Sequence, residues 1–132
     1  MSFTDNRPSA VAEMAEYLEN YRFGLKMVEI NKYEKEYFRE RDNREDDGCG
    51  AFGEDDEAYI KAKMFEIKRF VTSLPPDDRK LFLYYHYIRC ETVERCAELL
   101  KISRRSAYRL KRRALEYAAI KYRSFSKKEY DM

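Results

Sequence analysis

Apolar residues recur along this chain at alternating steps of three and four, the spacing that keeps side chains on one side of an α-helix. Val11, Met14, Leu18, Tyr21, Leu25 and Val28 form the first seam, which continues with a shift through Ile30, Tyr33 and Tyr37. Pro8 and Ser9 suit its start. The pattern predicts a helix to about Arg41, with Gly24 inside it at a cost of about 1 kcal/mol. Ile60, Met64, Ile67, Val71 and Leu74 make a second seam and predict a helix from about Asp56 to Ser73. Between the two, residues 42–57 hold eight acids and three glycines and read as a solvated loop. Helices with matching seams joined by a loop most simply fold back as an antiparallel, coiled-coil-like hairpin. The first helix is the longer, so part of its seam needs another partner. Residues 11–41 are therefore expected to form a homodimer or to touch another protein, RNA polymerase being one candidate.

The pattern changes at residue 75. Ser73-Leu74-Pro75-Pro76 closes the second helix, and Pro76 with Asp77 and Asp78 favours a new start. Leu81, Leu83, Tyr84, Tyr87 and Ile88 make the next helix a core element, and Thr92 is the expected N-cap of a short helix to Leu100. Cys96, Leu100, Ile102, Ala107 and Leu110 then supply the apolar positions that a helix-turn-helix needs around its turn. Ala97 supplies the small contact where its two helices touch, and Ser103 caps the second helix. Lys101 stands at the turn site where glycine commonly takes a left-handed conformation, at a cost of about 1 kcal/mol. The predicted class is all-α: a helical hairpin over residues 1–74, followed by a helix-turn-helix unit over residues 75–132.

Net charge is only +2, but it is unevenly spread. From residue 101 onward 11 Lys and Arg face three acids, whereas the preceding hundred residues carry 16 basic and 22 acidic side chains. A basic C-terminal surface fits a polyanion. After Ser103 the chain reads SRRSAYRLKRRALEYAAIKYRSF, in which Ala107, Leu110, Ala114 and Tyr117 or Ala118 turn inward at helical spacing. Arg104, Arg105, Ser106, Tyr108, Arg109 and Arg112 then face outward. An arginine can donate two hydrogen bonds to O6 and N7 of guanine in the major groove. Arg105, Ser106 and Arg109 are assigned to base edges, and Arg104, Lys111, Arg112 and Arg113 to phosphates, with double-stranded DNA as the partner.

The segment LPPDDRKLFLYYHYIRCETVERCAELLKISRRSAYRLKRRALEYAA resembles sigma-70 region 4. It is closer still to the phage regulators of the ArpU-like and related sigma-like families, where an IS-R-R-[ST]-x-Y-R segment leads the recognition helix. The resemblance spans about Leu74 to Ala119. It implies promoter or operator binding and activation of phage late genes. Lys101 in place of glycine and Ala107 in place of the usual valine depart from the pattern and leave the sequence preference open. Residues 1–74 form an acidic hairpin without a basic aromatic stretch suited to single-stranded DNA, which argues against acting alone as a sigma factor. The expected function is a phage or prophage transcriptional regulator. The alternatives are a small terminase subunit that recognises packaging DNA, and an interaction protein that binds polymerase without sequence-specific DNA contact.

Other chemistries find little footing. The single histidine has no evident acid or nucleophile partner and no glycine-rich phosphate loop occurs, so an enzyme is not expected. Cys49, Cys90 and Cys96 show no CxxC spacing, so no metal, cofactor or disulfide framework is expected. No stretch approaches the roughly 20 apolar residues of a membrane span, and MSFTDNRPSA lacks a signal-peptide core. The expected location is the bacterial cytosol, on the nucleoid.

Overall fold

A computed structural model of the chain describes residues 8–42 and 53–130, which are helical apart from short connections and hold no strand. The elements are α1 (Pro8–Asp42), α2 (Glu54–Ser73), α3 (Asp78–Leu83) continued by a π-helical turn (Tyr84–Ile88), α4 (Val93–Leu100) and α5 (Arg104–Tyr130). None of these helices is long and apolar enough to cross a membrane.

Helices α1 and α2 run antiparallel, because Tyr17 reaches Glu66, Gly24 lies against Met64 and Ile60, and Lys35 pairs with Glu57. A side chain on Gly24 would come within 2.7 Å of the Met64 Cγ and Sδ atoms. Gly24 therefore lies where α2 side chains press against the α1 backbone, which sets a packing gain against its propensity cost. On α2 the expected seam faces inward, with Ile67, Val71 and Leu74 buried and Phe70 fully buried beside them.

On α1 the seam departs from expectation after Tyr21. Met14 and Leu18 are buried, but Leu25, Ile30, Tyr33 and Tyr37 are exposed, and the inward positions are Gly24 and Asn31. A strict 3.5-residue repeat stays on one face only when helices supercoil, whereas a helix of 3.6 residues per turn drifts about 20° per heptad. The acidic loop is also shorter than expected. Glu54, Asp55, Asp56 and Glu57 form the first turn of α2, where the helix dipole favours them, and Glu57 pairs with Lys35 and Lys61. Residues 43–52, the middle of the expected loop with Cys49, lie outside the described residues.

Leu74 ends α2 in an extended conformation, as a residue before proline must. The Asp77 carboxylate then accepts the Arg79 and Lys80 backbone N–H groups to cap α3. Phe82, Leu83, Tyr87 and Ile88 are buried, but Leu81, expected in the core, is exposed. The π-helical turn adds a residue to one turn, closed by Arg89 N–H to the Tyr84 carbonyl, and re-aims the residues after it. Cys96 is fully buried, and burial pushes its thiol up to about 11, so it behaves as a small core hydrophobe.

One core runs across residue 74, joining Met14 and Leu18 of α1 to Phe70 of α2, Phe82 of α3 and Ala107 to Ala118 of α5. Phe70 meets the Tyr17, Tyr122 and Phe125 rings at 6.2, 5.3 and 5.2 Å, and Tyr17 donates to Glu66 at 2.9 Å. The His86 ring is buried in the π-helical turn, where Nδ1 lies 2.7 Å from the Glu91 carbonyl oxygen. A carbonyl only accepts, so Nδ1 carries the proton of a neutral ring. Burial first, then the Lys111 and Arg22 charges, hold the His86 pKa below its ordinary value. The unfolded chain therefore binds a proton here that the folded chain refuses, and stability falls as pH drops through about 6.5. Because His86 is the single histidine, urea unfolding between about pH 7 and 5.5 should show this loss, and His86→Asn should flatten it.

Candidate nucleic-acid interface

The basic surface rests on how α4 hands over to α5. Thr92 Oγ1 accepts the Arg95 N–H at 3.1 Å and starts α4. At its end Lys101 adopts φ 58° and ψ 44°, a left-handed conformation. That turn lets Ile102 N–H reach the Ala97 carbonyl at 3.0 Å and Lys101 N–H the Glu98 carbonyl at 3.2 Å, satisfying the last carbonyls of α4. Ser103 Oγ accepts the Ser106 N–H at 3.0 Å and so caps α5. Cys96, Ala97, Ala107 and Leu110 are buried around this junction, with Leu100 and Ile102 packed against them.

The inward positions of α5 aim the rest of it. Ala107, Leu110, Ala114, Leu115 and Ala118 are buried, so Arg105, Arg109 and Arg112, at steps of four and three, share the opposite side. These three with Ser106, Tyr108 and Arg113 line an open concavity of about 900 Å³. Arg105 and Arg109 form no ion pair among the described residues. Arg112 Nε lies 3.1 Å from Glu116 Oε1, which partly offsets its charge. Arg113 also borders a hollow shared with Asp77, Asp78, Arg79, Glu116, Tyr117 and Ile120. Ser106 keeps its hydroxyl on the surface, 2.9 Å from Ser103 Oγ, which donates to it.

Two expected residues are placed apart from this group. Lys111 is half-buried and its charge acts on His86, so it lies toward the π-helical turn and outside the concavity. Arg104 is exposed, but its guanidinium reaches across to Glu94 Oε1 at 3.1 Å. The same oxygen accepts the Tyr108 hydroxyl at 3.1 Å. Glu94 was not among the sequence-derived candidates. It stands on the preceding helix, 14 residues from Tyr108, and no spacing rule connects the two. Its own backbone N–H first, then the Tyr108 hydroxyl and the Arg104 charge, hold the Glu94 carboxyl below the usual carboxylate range. Arg79 stacking on the Tyr117 ring at 3.7 Å is a second cross-helix contact that sequence did not reveal.

Among the described residues no group of three or more His, Cys, Asp or Glu side chains could hold a metal ion. No family model, curated protein or solved structure matches this chain. The surface can bind an extended polyanion by charge and can donate paired hydrogen bonds from Arg105 and Arg109. Lys101 is the local weak point of this scaffold, since a β-carbon in the left-handed region is strained. Lys101→Gly should raise stability by about 0.5 kcal/mol, the relief of strain being partly offset by the greater unfolded-state entropy of glycine. Urea unfolding of the two proteins checks it.

Proposed function

We propose that this chain is a sequence-specific, double-stranded-DNA-binding transcriptional regulator, in which α4 and α5 form a helix-turn-helix of sigma-70 region 4 type and α5 is the recognition helix. One observation carries the reading. The left-handed turn at Lys101, the Ser103 cap and the buried Ala107 and Leu110 together direct Arg105 and Arg109 outward, both without an ion pair among the described residues. A solvated basic helix would need neither that turn nor that register. The resemblance of Leu74 to Ala119 to phage regulators of the ArpU-like family supports a phage or prophage origin and control of late genes. The antiparallel α1 and α2 serve as the helical hairpin of this reading. The exposed Phe23, Ile30 and Tyr33 of α1 mark the side through which a second copy or RNA polymerase would be met.

In the complex Arg105 and Arg109 donate to guanine edges in the major groove, Ser106 contributes a hydroxyl, and Arg112 and Arg113 neutralise phosphates on either side. Affinity for duplex DNA should fall with salt, with a log–log slope of about −2 per bound copy for the two phosphate contacts. Arg105→Ala and Arg109→Ala should each weaken a selected site by about 1–3 kcal/mol and relax its base preference. Selection from a random duplex pool followed by salt-dependent binding tests both points. Weak, salt-insensitive binding that survives the double alanine variant would overturn the reading.

A further inference from the structure

The contact between Glu94 and two residues of α5 has a meaning for base choice. Glu94 lies in the first turn of α4, and Arg104 and Tyr108 lie one turn apart on α5. The Tyr108 hydroxyl donates to Glu94 Oε1, and the Arg104 guanidinium forms an ion pair with the same oxygen, each at 3.1 Å. The Arg104 guanidinium carbon also sits 5.9 Å from the centre of the Tyr108 ring. The three groups form one brace between the two helices beside the outward arginines.

This brace changes what α5 offers to a ligand. The Tyr108 hydroxyl has one proton, and it is committed to Glu94, so the part of the side chain left to the surface is chiefly its ring. That ring borders the same concavity as Arg105 and Arg109. Arg104 is drawn toward an acid, which lowers its share in binding phosphate. An apolar ring beside arginines that donate to guanine matches a specific feature of the major groove, the C5-methyl group of thymine.

Building on the DNA-binding reading above, we infer that Glu94 is a positioning residue that holds the Tyr108 ring against a thymine methyl next to a guanine and keeps Arg104 off the phosphates. Glu94 touches no base in this arrangement. Its carboxylate acts through the two side chains it holds, and it also repels phosphates that would pull α4 onto the backbone.

The test uses the full chain and a duplex selected from a random pool, compared with the same duplex carrying uracil in place of thymine. Wild type should prefer thymine beside guanine and lose about fourfold in affinity on removal of that methyl. Glu94→Gln should shrink the methyl effect toward none and steepen the salt slope by about one, as Arg104 gains a phosphate. Tyr108→Phe keeps the ring but loses the hydroxyl, and should lower the methyl effect while leaving the slope unchanged. Thermal unfolding of each variant separates these readouts from a loss of fold, since a purely structural Glu94 would shift the melting temperature and neither the slope nor the methyl effect. The inference is overturned if both variants keep the wild-type slope and methyl effect, or if the selected site has no thymine beside guanine. In either case the DNA-binding reading stands provided that wild type binds duplex DNA. If wild type binds no duplex, both fall.

Discussion

Ala107, Ala114 and Ala118 lie fully buried along one side of α5, and single-carbon side chains let neighbouring helices come close to its backbone. Helices α1, α3 and α4 all pack on α5, with Phe70 of α2 filling the space against Tyr122 and Phe125. Side chains on a helix are fixed relative to one another, so burying this stripe aims Arg105, Arg109 and Arg112 away from the core. Rotating α5 would put charged groups into the core, which costs far more than the contacts near the surface can return. Ion pairs such as Arg112 with Glu116, exposed to solvent, adjust the surface without setting the orientation.

Because α5 continues well past its basic segment, the same helix that carries the arginines is clamped by α1 and α2. Tyr17 meets Tyr122 at 4.8 Å, and Arg22 donates to the His86 carbonyl at 3.1 Å, so α1 braces both the far end of α5 and the π-helical turn. The acidic N-terminal half is thus packed into the core that supports the basic one. A helix anchored along its length loses little conformational freedom when it meets a ligand, which favours affinity and register.

The local chemistry of the α4 to α5 junction was legible from residue types alone. Thr92 and Ser103 cap helices because their hydroxyls accept backbone N–H groups two or three residues ahead, and Lys101 must turn left-handed because the chain reverses there. The α2 seam, the helix end before Pro75 and the inward stripe of α5 follow from periodicity in the same way. Periodicity misled where the helix had a choice of faces. Leu25, Ile30, Tyr33 and Tyr37 continue a seam on paper, yet Gly24 attracts α2 because it alone leaves room for Met64. Leu81 was misplaced for a related reason, since on the short α3 the packing buries Phe82 and Leu83 instead.

By itself, the sequence determined where most of the helices lie, the Thr92 and Ser103 caps and the outward set of arginines on α5, since each depends on neighbours within about four positions along the chain. Tertiary structure decided which face of α1 meets α2, that one core crosses residue 74, and that Arg104 and Tyr108 share the Glu94 carboxylate. Those outcomes depend on which distant surfaces fit together without voids, and close packing is a property of the assembled helices that no single segment encodes.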